Sequence, residues 1–519
     1  MKLTKKVKIE LLVFLILLNI ILRLQVVYHE IGWDSFSVHI MANSLTEYGF
    51  ARWWVHPLSI VGTYPYSEPS AVPFLLSGIS QCTNVNIESV IFLYGMTLGF
   101  FGIFAAYLMA GAIWNNDIFK FLVAFIFSTC QGIVTYTTWT APTRTLFVIL
   151  LPLFIYLLLR IRTFKARFVI LTFFILVLLF VTHPLVYFTI PIIISYFIIV
   201  IVYKLRKYLR ISRNIANFVL IISCFTMFLS QFFTRTFMEA IPRGYEGSRY
   251  EFLLTSFLSA YVRYIGVLII FVVGGYIYLS LKRDKGFEEW FLLIASVCFA
   301  PLLYIVTYMK WVIPFFAALL IGIGLTNVVK ASEQKKKYTA FVVIVLLFSV
   351  IFTGYYQYLH FLNQEQNPNK RYIEERTYIG ALWIRDNIDK VMIGNDELTL
   401  LRVFAVSEVP ALTGFGCSDL IYGFANIAEL NLSKSSPFSI GFYKYGPYVK
   451  APNTVSTGWY VSRLNYETVN SRWGKAIVSR FNFSYYVENM NVDTKFARSV
   501  QQAKNNLYDN GKIRVWSLD

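Results

Sequence analysis

The sequence predicts an α-helical polytopic membrane protein of about eleven transmembrane helices followed by a C-terminal extracytoplasmic α/β domain, and three observations predict it. The 519 residues are 57% hydrophobic, 18% aromatic and only 15% charged, more apolar surface than a soluble globule of this length can bury. Apolar runs of membrane-spanning length recur through the first two thirds of the chain, and from about residue 357 the composition turns to mixed polar and apolar.

Crossing a bilayer takes about 20 apolar residues. Runs that qualify fall near residues 10–29, 87–113, 118–137, 145–160, 167–182, 185–203, 214–233, 264–281, 288–307, 312–329 and 338–356. Cytoplasmic loops accumulate Lys and Arg. Lys2, Lys5, Lys6 and Lys8 therefore place the N-terminus inside, and Arg160 to Arg167, Lys204 to Arg213, Lys282 to Lys285 and Lys330 to Lys337 mark later cytoplasmic loops. Eleven crossings from an inside start put the tail outside, consistent with its sequons Asn431-Leu-Ser433 and Asn482-Phe-Ser484. The net charge of +18 is thus a signal of topology and of contact with membrane lipids, not of nucleic acid. The first span has no small-residue cleavage site and reads as retained. Cys82, Cys130, Cys224, Cys298 and Cys417 are too scattered for a disulfide framework.

The chain divides into a transmembrane domain, 1–356, and a soluble α/β domain, 357–519. Within the first, an external loop at 30–88 far exceeds ordinary loop lengths, a mark of functional loops. In it Phe36, Ile40, Met41, Leu45 and Tyr48 recur at near-helical spacing before Gly49, which predicts a helix with one apolar face resting on the membrane surface. Tyr64-Pro65-Tyr66-Ser67-Glu68-Pro69 predicts a rigid turn, and Val72 to Ile79 a short helix dipping into the membrane edge. A second large external loop, 234–263, carries Arg243 and Arg249, and Thr182-His183-Pro184 makes a tight external turn. In the tail, Glu374 to Asn387 reads as a helix, Val391 to Ile393 and Tyr485 to Val487 as strands, and Asp509-Asn510-Gly511 as a hairpin turn, against a background of 18 basic and 15 acidic residues.

Asp34, in Gly32-Trp33-Asp34-Ser35-Phe36, is the leading candidate for chemistry, because an ionisable group at a membrane edge is costly and tends to mark function. Its plain alternative is helix capping, for which Ser35 competes. Arg23, inside the first span, calls for an acidic partner in the bundle, and Gly95 to Gly99 is a G-x-x-x-G packing step. His39 and His56 share a loop with acids, which leaves a divalent metal open as cofactor although no spacing is specific for one.

The arrangement of an acid after span one, a surface helix, a proline-stiffened turn, a short helix and an outer tail resembles the GT-C superfamily of membrane glycosyltransferases, which includes oligosaccharyltransferases, protein O-mannosyltransferases and the aminoarabinose transferase of lipid A. Trp33-Asp34-Ser35-Phe36-Ser37-Val38-His39 resembles their first-loop acid motif, Thr63-Tyr64-Pro65-Tyr66 through Pro73-Phe74-Leu75-Leu76 the turn that follows, and Lys310-Trp311-Val312-Ile313-Pro314 a late span opened by a basic residue. The tail lacks the Trp-Trp-Asp-Tyr-Gly motif of oligosaccharyltransferases, with Thr457-Gly458-Trp459-Tyr460 a faint echo, so the branch stays open.

The resemblance implies transfer of a sugar from a dolichyl or undecaprenyl phosphate donor to a glycan, lipid or protein acceptor on the outer face, with Asp34 as general base. Lys310 with Arg243 or Arg249 would hold the departing phosphate, and Tyr66, Glu68 and His183 would contribute to substrate binding. The plain readings are an interfacial anchor for Lys310, a solvated loop for the arginines, an exposed loop acid for Glu68 and a turn histidine for His183. A different class, a transporter or flippase, predicts ionisable residues and broken helices near the midplane, whereas the charges here gather at the outer loops.

Overall fold

A computed structural model describes residues 3–163, 165–230, 265–299, 309–331, 336–363, 369–414, 416–429, 431–436, 442, 446–450 and 457–519. Arg243, Arg249 and the rest of the predicted second external loop, with the span boundaries that adjoin it, lie outside the described residues.

A helix stands at each of the eleven predicted spans, and five of the described helices are long and apolar enough to cross a membrane on their own: Ile87–Ile113, Thr143–Thr163, Pro184–Tyr208, Pro314–Ala331 and Lys337–Asn363. The bundle opens with α1 (Lys5–Leu22), then the outer-loop helices α2 (Trp33–Tyr48) and α3 (Ala71–Thr83), and continues with α4 (Ile87–Ile113), α5 (Asp117–Thr129), the single turn α6 (Gln131–Val134), α7 (Thr143–Arg160), α8 (Ala166–Thr182), α9 (Thr189–Tyr208) and α10 (Arg213–Ser230). Further helices occupy Ile270–Leu281, Phe287–Phe299, Met309–Ala331 and Lys336–Asn363.

Ion pairs gather the predicted cytoplasmic loops at one end of this bundle. Lys8 bonds Asp117 at 2.7 Å, Arg162 reaches Glu288 at 3.1 Å, and Arg213 reaches Asp284 at 2.7 Å. Asp34, the His183 turn and the tail occupy the other end.

Two predicted spans are shorter than expected, for one shared reason. α1 stops at Leu22 because Arg23 turns into the bundle, and α5 breaks at Cys130, where ψ swings to 150°. The fully buried Arg23 guanidinium donates to the Ser128 carbonyl (3.1 Å), one of the carbonyls a helix end leaves unpaired, and also to Thr137 Oγ1 (2.8 Å) and Asn19 Oδ1 (2.6 Å). The expected acidic partner is therefore corrected: neutral oxygens satisfy this arginine. Gly95 and Gly99 do serve close packing. A Cβ on Gly95 would stand 2.9 Å from the Thr137 carbonyl, and one on Gly99 would stand 2.3 Å from Arg23 Nε. Gly99→Ala is expected to push the guanidinium off its partners and destabilise the bundle by about 1–3 kcal/mol. Thermal unfolding in detergent checks this against Gly78→Ala, where a Cβ meets nothing within 4 Å.

The predicted surface helix is present but differently placed. Gly49, at φ 73°, stops α2 as expected. Its apolar face does not rest on lipid: Val38, Met41, Ala42 and Leu45 join the core of the bundle, while Phe36 and Ile40 join the core of the tail, packed with Ile373, Leu400, Leu401 and Phe404. Ten of its sixteen residues are buried. Periodicity reports an apolar face but not which element covers it, and here two elements do. In α3, Val72 and Leu76 are buried while Phe74 and Leu75 stay exposed, as for a short amphipathic helix.

The tail is a mixed sheet between two helical layers. Strand order is β1 (Met392–Gly394), β4 (Tyr485–Asn489), β6 (Ile513–Ser517), β5 (Asn506–Asp509), with β1 parallel to β4 and the remaining pairs antiparallel. β2 (Leu432–Lys434) and β3 (Tyr448–Lys450) form a separate hairpin-like pair. Strand alternation sorts the side chains: Val487 and Val515 face the layer holding Glu375–Asn387, Glu397–Ser407 and α2, whereas Tyr486 and Trp516 face Thr457–Asn465, Arg472–Phe481 and Lys495–Ala503. The predicted helix, both strands and the Asp509-Asn510-Gly511 turn, with Gly511 at φ 78°, are all present to within two residues.

Candidate active site

The site is built where the first outer loop, the α6–α7 connection and the start of the tail meet. Residues 30–32 run extended and are held on both sides: the Ile31 amide donates to the Trp139 carbonyl (3.0 Å), the Gly32 amide to the Arg371 carbonyl (2.8 Å), and the Ile373 amide to the Glu30 carbonyl (3.0 Å). Gly32 then takes φ 96° and becomes the N-cap of α2. A side chain is disfavoured there both by that backbone and by Thr140 Oγ1, 3.3 Å from where its Cβ would stand.

This settles the capping alternative against both residues it named. Gly32 caps the helix without a side-chain bond, and Asp34 sits one residue inside the first turn, where the helix dipole favours a negative charge. Ser35 is diverted to another task, its Oγ accepting from the Ala141 amide at 2.7 Å. The Asp34 carboxylate instead forms an ion pair with Arg144 Nη2. Arg144 lies in the first turn of α7, two residues after the N-cap Pro142, with its guanidinium 5.4 Å over the Tyr136 ring.

A second guanidinium completes the wall. Arg371 stacks 4.1 Å over Phe361 and 6.0 Å over Trp33. Asp34, Arg144, Arg371, Trp33, Tyr136 and Thr140 are among the residues lining one cavity of about 150 Å³. Asp34 is the only carboxylate on that wall among the described residues, and its side chain is 58% exposed. One carboxylate beside two arginines fits an anionic ligand. Among the described residues no three His, Cys, Asp or Glu side chains are grouped to hold a metal. His39 and His56, which had left a metal open, are engaged elsewhere: His39 with Glu30 at 2.6 Å, and His56 capping Pro57–Ser59 through the Leu58 amide at 3.1 Å.

The other sequence candidates are spread more widely. His183 accepts from the Leu185 amide (3.0 Å), the turn role of its plain reading, yet it lies within electrostatic reach of Arg144. Burial first, and the Arg144 charge second, push its pKa down to about 3, so the ring is neutral at physiological pH. Lys310 opens the helix Met309–Ala331, its side chain outside the described residues. Tyr66, at φ 62° in the proline-stiffened turn, and Glu68 do not line the Asp34 cavity.

Glu68 is half-buried against Cys417 of the tail, which corrects the fully exposed loop-acid reading. Burial pushes its pKa up to about 7, and burial does the same to Asp419, whose side chain is fully enclosed. The buried Cys417 thiol feels both carboxylates and is raised by its burial and by them. Both acids thus hold their proton more tightly folded than unfolded, from ordinary values of 4.5 and 3.8. Their contribution to stability is present at acid pH and falls as pH rises toward about 7. Thermal unfolding at pH 5 and pH 8 is expected to show a drop that Glu68→Gln/Asp419→Asn flattens; equal slopes in both proteins would refute it.

Sequence reasoning missed Arg144 and Arg371. Arg144 did leave a signal, since a basic residue at the outer end of a span runs against the cytoplasmic bias of Lys and Arg. Arg371 left none, sitting in the tail without a motif.

No protein-family model matches this sequence, and neither does any curated protein. The fold has solved counterparts. The crystal structure of the Archaeoglobus fulgidus oligosaccharyltransferase tethered with an acceptor peptide containing the NVT sequon is similar at a TM-score of 0.62 and 11% identity, over 94% of this chain and 69% of that one. The archaeal oligosaccharyltransferase AglB from Archaeoglobus fulgidus, in complex with an inhibitory peptide and a dolichol-phosphate, is similar at 0.59 and 11% identity, over 93% and 69%. The chain is therefore a membrane protein of the GT-C fold, the fold of these glycosyltransferases.

Proposed function

We propose that this protein is a glycosyltransferase that moves a sugar from a polyprenyl phosphate donor to an acceptor on the extracytoplasmic face. The observation that carries the proposal is the Asp34–Arg144 pair with Arg371 on one cavity wall. Glycosyl transfer from a phosphate carrier needs a group to take the acceptor's proton and cations to hold the phosphate as its charge grows. The solved counterpart with dolichol-phosphate bound supports the donor class.

The ion pair itself suggests an order of events. With the cavity empty of substrate, Arg144 neutralises Asp34, and a carboxylate so engaged is a poor base. A donor phosphate presents oxygens that match the flat fork of a guanidinium, so it competes for Arg144 and is shared with Arg371. Loss of its partner leaves Asp34 to accept a hydrogen bond, and then a proton, from the acceptor hydroxyl as the sugar–phosphate bond breaks. The carrier phosphate departs against the two arginines. Lys310, at the start of the helix Met309–Ala331, and Arg243 and Arg249 remain candidates for the same phosphate.

The basic loops at the opposite end of the bundle support an outer position for the site, since Lys and Arg accumulate on the cytoplasmic side. The experiment is transfer of radiolabelled sugar from polyprenyl-phosphate-sugar donors in membranes containing this protein. Donor-dependent incorporation into an acceptor is expected, and its failure with both dolichyl- and undecaprenyl-linked donors would sink the reading.

A further inference from the structure

A larger cavity, of about 320 Å³, lies between α2, the start of α4 and the tail helices, and it is distinct from the one holding Asp34. Positions five apart on a helix point about 140° away from each other. Asp34 and His39 therefore face nearly opposite sides of α2, and His39, Asn43 and Glu47, spaced four apart, share one stripe along this second cavity. Its other polar walls include Glu88, Arg385 and Glu408.

Two nearly buried polar side chains, His39 and Asn43, line the cavity, and Glu30 lies behind the first of them. His39 is 5% exposed and Asn43 8%. Asn43 Nδ2 donates to the Ala405 carbonyl at 3.0 Å. The His39 ring binds Glu30 Oε2 through Nδ1 at 2.6 Å, and its Nε2 has no partner among the described residues. Glu30 Oε1, on a fully enclosed side chain, has none either. Burial disfavours a charged His39, but the carboxylates of Glu30, Glu88 and Glu408 outweigh it and raise the ring's pKa. His39 Nε2 is open to the cavity on a side chain that is otherwise buried, so a ligand there finds a polar group already held in place by Glu30.

We infer that this cavity is a binding site for an uncharged glycan, one or two sugar units in size, on the face of α2 away from Asp34. The lining selects that class. Carboxylates of Glu47 and Glu408 accept hydrogen bonds only, Arg385 donates only, His39 Nε2 donates or accepts with the state of the ring, and Asn43 does both; a hydroxyl, which donates and accepts, satisfies each kind. A phosphate or uronate would meet three carboxylates, and no three metal-ligating side chains are grouped for a cation among the described residues. Among the described residues Ile87, Ala405, Val406 and the Tyr378 ring offer apolar contact, too little for a lipid chain and enough for the C–H face of one sugar. The volume falls in the roughly 300–1,000 Å³ range of small-molecule sites.

The test uses the full-length protein in lipid nanodiscs, with binding read by saturation-transfer NMR and calorimetry. The probes are neutral methyl hexopyranosides and neutral disaccharides, with glucuronic acid, hexose 1-phosphate and inorganic phosphate beside them. A neutral sugar is expected to bind, with at least about tenfold loss of affinity in the fold-sparing variant Glu47→Gln/Glu408→Gln and in His39→Phe, and with unchanged affinity in Asp34→Asn. The inference is overturned if no neutral sugar binds, if the anionic probes bind better, or if Asp34→Asn abolishes binding while Glu47→Gln/Glu408→Gln retains it. Because the readout is binding and not transfer, failure here leaves the proposed transferase reaction standing, and loss of transfer alone leaves this site standing.

Discussion

Asp34→Asn is expected to lower kcat/KM for sugar transfer by about 10²–10⁴-fold, the usual contribution of a positioned general base. The substitution keeps the size and shape of the side chain and removes only its ability to accept a proton. Folding should be nearly unaffected. The carboxylate is not the cap of α2, its side chain is more than half exposed, and the helix start is already fixed by Gly32 and by Ser35 bonded to Ala141. An exposed ion pair contributes about 1 kcal/mol or less to stability. Activity and stability therefore separate: a base predicts loss of turnover at constant thermal stability, whereas a purely structural partner of Arg144 predicts a small loss of both. Transfer of labelled sugar by purified wild type and variant, with melting curves on the same samples, decides between them. Undiminished turnover in Asp34→Asn would remove the base role.

The parts of this fold legible in the sequence are those set by local rules. Apolar run length located the helices, the glycine stop located the end of α2, and strand and turn chemistry located β1, β4 and the β5–β6 turn. What escaped was decided by contacts between residues far apart in the chain. The capping alternative for Asp34 failed because Gly32, pinned to Arg371, was already in place and because Ser35 was claimed by Ala141, 106 residues away. The break in α5 was invisible because a buried arginine from α1 takes the Ser128 carbonyl. The apolar face of α2 was read correctly as a face, but hydrophobicity alone does not distinguish lipid from the core of the tail. The candidate site was half legible: a charge in a strange place drew attention to Asp34, while Arg144 carried only the weaker signal of a basic residue at the wrong end of a span, and its pairing with Asp34 joins residues 110 positions apart.

Arg144→Gln is the second large effect, and it tests the exchange of partners directly. Removing the guanidinium frees Asp34 in the unliganded protein, which taken alone would favour its action as a base. It also removes a cation from the wall that receives the phosphate, and the loss of one such preorganised group typically costs about 10²–10³-fold in kcat. The second term is expected to dominate, because charge on the phosphate develops in the transition state whether or not the base was free beforehand. Arg144→Lys should recover only part of the loss, since an ammonium keeps the charge but not the two-pronged fork. The combined variant Asp34→Asn/Arg144→Gln carries the sharper outcome. If the two residues act on one step through one ion pair, the double variant loses much less than the product of the single losses. Steady-state kinetics of the four proteins, with donor concentration varied, measures that coupling. Strictly multiplicative losses would show that Arg144 and Asp34 act independently and would refute the exchange of Arg144 from carboxylate to phosphate.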